Sequence, residues 1–266
     1  MSELPDPHEQ NDEDKQDPVE SAGDDETESP GRRMSLWEHL DELRKRLITA
    51  VAVWLLGTCV AWAFLHPLMK WVTAPAGDIV LHPRTPLEGM LTLMKVAMAA
   101  GFVATSPIIL YQVWAFVSPA LHPHEKRWVY RFFVPVAVLF FAGVGFAYWA
   151  LSRVMLAILI NYPKRFGMDP IIAPEPLISF ILFVCLACGL VFQMPVITYV
   201  LSKIGILSPQ YLISQWKFIV VGLLIAAGVL TPSPDIPSQF ILFVPLMLLY
   251  GVSYFVARAA YPRPKL

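Results

Sequence analysis

The sequence predicts an all-α polytopic membrane protein of six transmembrane helices, the fifth and sixth short. Three observations predict it. Hydrophobic residues make up 56% of the 266-residue chain and charged residues only 15%, too apolar a balance for a soluble domain. Six apolar stretches stand out, at 47–65, 96–117, 132–152, 177–202, 218–230 and 240–257, to be set against the ~20 residues that a spanning helix needs. The connections between them are alternately rich and poor in lysine and arginine.

The first 34 residues read as a separate acidic tail. Residues 1–31 hold twelve acids and one base, Lys15, for a net charge of −11, while the rest of the chain, with nineteen bases and nine acids, carries +10. Rich in Pro, Ser and Gly and without aromatics, the tail lacks the apolar surface that folding requires, so a disordered cytoplasmic extension is expected. Arg32-Arg33 is followed by Glu38, Asp41 and Glu42 where an export signal would have its apolar run, so it reads as a juxtamembrane anchor.

From Ser35 the pattern becomes helical. Ser35 and Glu38 have capping-box spacing, and Leu36, Leu40, Leu43 and Leu47 fall on one face. Asp41/Lys45 and Glu42/Arg46 are i,i+4 acid-to-base pairs. The helix thus brings carboxylates to the threshold of the first apolar stretch, where recognition is most to be expected.

Beyond it, the connections 67–89 and 153–176 are long and Pro-rich, with apolar pieces such as 154–160 expected to pack as short helices. Lys95, close to one end of the second stretch, is placed to snorkel to the interface. Pro107, Pro135, Pro195 and Pro245 each remove a backbone donor inside a span, which suits a curved wall. The fifth stretch, thirteen residues or about 20 Å, falls short of a ~30 Å hydrocarbon core. Residues 35–258 form the membrane domain in this reading, and 259–266 a short tail.

Basic residues set the orientation. Arg32, Arg33, Arg44, Lys45, Arg46, Lys126, Arg127, Arg131, Lys203, Lys217, Arg258, Arg263 and Lys265, thirteen in all, fall on one side. Lys70, Arg84, Arg153, Lys164 and Arg165 fall on the other. Both termini are therefore expected in the cytoplasm.

Composition also bears on function. A small-solute secondary transporter, the alternative considered, would need polar ligands at mid-membrane depth and repeat symmetry, and neither is visible. An intramembrane enzyme is disfavoured because His39, His66, His82, His122 and His124 lie outside the spans and form no metal motif. Cys59, Cys185 and Cys188 sit in apolar runs as packing residues, with no ligand set around them. No catalytic residue, metal, cofactor or nucleic-acid partner is expected.

Four motifs carry a resemblance. Trp37-Glu-His-Leu-Asp-Glu-Leu-Arg-Lys-Arg-Leu47 comes first, then Ser106-Pro-Ile-Ile-Leu-Tyr-Gln-Val-Trp-Ala-Phe-Val-Ser-Pro-Ala-Leu121 with His124-Glu125-Lys126-Arg127. Phe192-Gln-Met-Pro195 and Leu230-Thr-Pro-Ser-Pro-Asp-Ile-Pro-Ser-Gln239 follow, and Pro86-Leu-Glu88 precedes the second span. From about residue 36 to 258 the chain resembles the TatC family, the C subunit of twin-arginine translocases.

That resemblance implies a glove-shaped, six-helix receptor for the twin-arginine signal peptides of folded cargo proteins. It also implies assembly with itself and with the single-span TatA and TatB, driven by the proton-motive force, in the bacterial inner membrane. By position, Glu42 and Glu125 match the family's acidic signal-binding residues, with Arg44, Gln112 and Phe116 as neighbours. Thr231 and Gln239 match positions where partner helices dock. Gln193 stands where the family commonly has a glutamate, which leaves a hydrogen-bonding contact to a partner helix and removes a titratable role. The segment ending at Asp235 is one residue longer than the family's usual form. Two carboxylates suit two arginines because each guanidinium fork takes one carboxylate through two parallel bonds, which lysine cannot reproduce.

Overall fold

The computed structural model describes residues 36–77, 81–117, 126–167, 172–231 and 236–261. The acidic tail, Ser35, Glu125 and Asp235 lie outside these residues. Among the described residues all regular structure is helical, as backbone polar groups in hydrocarbon demand.

Helix α1 (Leu36–Ala63) is 28 residues long, about 42 Å, so its charged first turns and its apolar remainder form one rod. A short amphipathic helix, α2 (Leu65–Thr73), turns away at its end. Helix α3 (Pro86–Val117) starts on a reciprocal cap. The Glu88 amide donates to Thr85 Oγ1 at 3.2 Å, and Glu88 Oε2 accepts from the Arg84 amide at 2.8 Å.

Helices α1 and α3 pack along each other, and glycine sets their distance. A Cβ on Gly101 would lie 2.5 Å from the Thr58 nitrogen, and one on Gly57 2.5 Å from Thr105 Cγ2. Without a strong hydrophobic drive between helices in lipid, such notches allow the close van der Waals contact that holds a pair. Trp54 locks the register by donating its indole N–H to the Met98 carbonyl at 3.0 Å.

The third span differs from expectation. Helix α4 (Lys126–Phe146) passes through a π-helical turn at Ala147–Leu151 into α5 (Ser152–Lys164) without leaving the helix. The apolar piece expected as a separate short helix is therefore a continuation, and Met155 and Leu156 bury into the main core. Ser152 Oγ donates to the Ala147 carbonyl at 2.9 Å and takes up an acceptor in the widened turn. Tyr148 OH reaches the Trp71 carbonyl at 2.5 Å and fastens α2 to this turn.

The fourth span is the axis of the fold. Half of its most apolar stretch is buried inside the protein, against 6% for the first span. It breaks into α6 (Pro174–Val191) and α7 (Met194–Lys203) because Pro195 has no N–H to give the Val191 carbonyl. Gly143 and Gly189 let α4 and α6 touch: a Cβ on Gly143 would meet the Cys188 carbonyl at 2.7 Å. Phe140 fills the seam beside them, fully buried. Cys185 and Cys188 are buried in this core, as packing residues should be.

After α8 (Pro209–Ser214), α9 (Trp216–Leu230) is short at 15 residues, about 22 Å. The sixth span is not short. Helix α10 (Ile236–Ala260) has 25 residues because the polar-flanked turns at either end of the apolar stretch continue it. Helix α1 packs on α3, helices α3, α4 and α6 pack on one another, α7 packs on α10, and α9 on α10 and α6. Trp54 of α1 and Val229 of α9 line one apolar groove of about 790 Å³.

Candidate functional site

The site begins with helical spacing. His39, Glu42 and Arg46 lie at i, i+3 and i+7 on α1, and Gln112 and Phe116 at i, i+4 on α3, so each set forms one face. The antiparallel pairing brings these faces together in order. The His39 ring stacks on Phe116 with centroids 4.4 Å apart and planes at 22°. Two turns further along α1, and one turn back along α3, Arg46 Nη1 is 3.4 Å from Gln112 Oε1.

Between them stands Glu42. Its Oε1 accepts from Arg46 Nε at 2.9 Å and Nη2 at 2.5 Å. Its Oε2 is covered and has no hydrogen-bond partner among the described residues. The preceding pair, Asp41–Lys45, has the same spacing and a 2.7 Å contact, but its side chains are 55% and 76% exposed against 20% and 27% for Glu42 and Arg46. The difference comes from α3, whose last turns shelter one pair and leave the other in solvent. Chemically, the arrangement is a half-satisfied carboxylate beside an amide and an aromatic wall, suited to a planar cation.

The residues implied by the motifs divide three ways. Glu42, Gln112 and Phe116 come together. Arg44 is exposed and lies roughly 200° around α1 from Glu42, outside the cluster. Glu125 lies outside the described residues. His39 and Arg46 complete the cluster; the Glu42/Arg46 spacing is visible in sequence, whereas nothing in sequence pairs His39 with Phe116.

Gln193 lies elsewhere, between α6 and α7. It is only 5% exposed, and its Nε2 donates to the Val136 carbonyl of α4 at 3.1 Å, leaving Oε1 buried without a partner among the described residues. Thr231 caps α9 through the Gly228 carbonyl at 3.1 Å and lines the groove; Gln239 donates to the Leu224 carbonyl at 2.9 Å, tying α10 to α9. Lys95 also lines the groove and is paired with Glu175 and with Ser179 Oγ, the latter at 3.0 Å. The expected snorkelling therefore ends on a carboxylate of α6, a partner that sequence reasoning missed. Among the described residues no three His, Cys, Asp or Glu side chains gather as a metal site.

Comparison with known proteins places this geometry. The family profile described as Sec-independent protein translocase protein (TatC) matches residues 38–245. The chain is 36% identical over 234 residues to the Sec-independent protein translocase protein TatC of Carboxydothermus hydrogenoformans, covering 86% of this chain and 95% of that one. It is 35% identical to the protein of the same name from Aquifex aeolicus, covering 87% and 98%. A crystal structure described as the twin arginine translocase receptor TatC superposes with a TM-score of 0.75 at 34% identity, covering 84% of this chain and 99% of that one.

Proposed function

The chain belongs to the TatC family of Sec-independent protein translocases, and from that membership we propose that it is the receptor core of a twin-arginine translocation system. It is a multi-pass membrane protein and a translocase component rather than an enzyme. In our reading it binds the twin-arginine signal peptides of folded cargo proteins and assembles with itself, TatA and TatB, export being driven by the proton-motive force. It lies in the bacterial inner membrane with both termini cytoplasmic, the side favoured by its basic residues.

The observation that carries this reading is the half-satisfied carboxylate of Glu42, sheltered at the membrane threshold beside Gln112 and the His39–Phe116 stack. Shelter matters because an exposed ion pair contributes only about 0–1 kcal/mol, whereas a shielded charge-assisted bond contributes about 1.5–3. Glu125 is the proposed second acid and Arg44 a further contact. Thr231 and Gln239 are proposed docking positions for a partner helix, and Thr231 already opens on the groove.

Binding of a synthetic twin-arginine peptide to the full-length protein tests the proposal. Glu42→Gln and Glu125→Gln should each weaken it by about 1–3 kcal/mol, roughly 5- to 150-fold. Unchanged affinity in variants that insert normally would sink the recognition model.

A further inference from the structure

We propose that Arg46 is a resident occupant of the Glu42 carboxylate, which an incoming guanidinium must displace, and that Gln112 is the acceptor that receives it. The inference rests on the receptor reading above. A guanidinium and a carboxylate pair best fork to fork, with one donor on each oxygen. Arg46 does otherwise: Nε and Nη2 both fall on Oε1, at 2.9 and 2.5 Å, and Oε2 is left without a partner among the described residues. The side edge of the guanidinium, Nε and Nη2, is thus spent on a single oxygen. The remaining terminal nitrogen, Nη1, already leans 3.4 Å from Gln112 Oε1. A small rotation trades one acceptor for the other.

This arrangement has two consequences. With no ligand bound, Arg46 keeps a part-buried carboxylate from standing unpaired, which would destabilise the helix pair. When a ligand arrives it meets an acid whose Oε1 is occupied and whose Oε2 is covered, so the resident must swing aside before both oxygens open, and only a group that engages both outcompetes it. A ligand arginine can do this. A lysine ammonium, a point charge without the fork, cannot. Arg46 is thus a positioning residue that makes Glu42 selective by competition, a repulsive device added to an attractive one.

The test uses the full-length protein in lipid nanodiscs with twin-arginine and twin-lysine peptides. Arg46→Gln should bind the twin-arginine peptide about fivefold more tightly, because the acid is no longer mostly occupied. It should tighten the twin-lysine peptide more, so that the preference narrows. Thermal stability should fall in the same variant, an opposite movement that a merely structural role for Arg46 does not produce. Lys45→Gln removes the same charge one residue away and should change affinity by less than about twofold. Gln112→Leu should weaken binding more while Arg46 is present than in the Arg46→Gln background, because only in the first does the displaced arginine lose its acceptor. Should Arg46→Gln fail to insert, Arg46→Lys carries the same test with a smaller gain.

Weaker or unchanged binding by Arg46→Gln overturns the displacement model, as does an equal gain from Lys45→Gln. If Glu42→Gln leaves binding unchanged, the receptor reading itself fails. If Glu42→Gln weakens binding and Arg46→Gln does not strengthen it, only the displacement step fails.

Discussion

The amide of Gln193 donates to the Val136 carbonyl across 3.1 Å, joining the break between α6 and α7 to the middle of α4. Two stabilities oppose each other at this residue. The bond is worth about 0.6–2 kcal/mol in an apolar surround. The Gln193 Oε1, without a partner among the described residues, works against it by the cost of a buried, unsatisfied acceptor, about 1–3 kcal/mol. Gln193→Leu removes both, so its thermal stability should shift only slightly, while a partner helix that used the amide would be lost. Export falling with signal-peptide crosslinking intact supports a partner role. Normal export assigns Gln193 to packing between α4 and α6.

Gly101→Ala should be severe. Its added carbon would meet the Thr58 backbone at 2.5 Å, where no side-chain end can move aside, so α1 must shift off α3. Overpacking of this kind costs about 1–3 kcal/mol. Peptide binding should fall as well, because the same pairing sets His39 on Phe116. Gly222→Ala in α9 is the control: nothing lies within 4 Å of its new carbon, and helix propensity should make it neutral or stabilising by up to about 1 kcal/mol. Melting of the two variants in detergent compares them directly.

Removing the α3 cap should be felt locally. Thr85→Ala deprives the Glu88 amide of its acceptor and should cost about 0.5–2 kcal/mol. Hydrogen exchange at Glu88 and its neighbours is the sensitive measurement. Protection unchanged from that of the unmodified protein would show that the cap contributes nothing.

Lys95 and Glu175 should behave as a coupled pair. Lys95→Met alone leaves a carboxylate beside an apolar groove, and Glu175→Gln alone leaves an ammonium there. The double variant leaves neither, and should recover much of the yield of inserted protein that either single variant loses. Additive losses would show that the two groups act separately.

Single cysteines at Ser29 and Asp169, placed in a background without Cys59, Cys185 and Cys188, should label from opposite sides of the membrane. The thirteen-to-five basic asymmetry motivates the expectation. Labelling of both from outside intact cells would refute the proposed topology.

What the sequence determined by itself is the set of properties carried along one dimension. A backbone in hydrocarbon must satisfy its own hydrogen bonds, so each long apolar stretch is a helix whatever it packs against. Hydropathy therefore located six spans, and the short fifth with them. Helical spacing likewise put Glu42 and Arg46 within reach of each other. Other relationships required the third dimension. Lys95 and Glu175 stand 80 residues apart, and His39 meets Phe116 only because the Gly57–Gly101 notch lets two helices run in contact at one register. The run of α4 through a π turn into α5, and the full length of α10, escaped hydropathy because their polar ends leave the apolar window while the backbone stays helical. Hydropathy records which residues enter the bilayer; which faces meet inside it depends on shape, and shape is settled by packing.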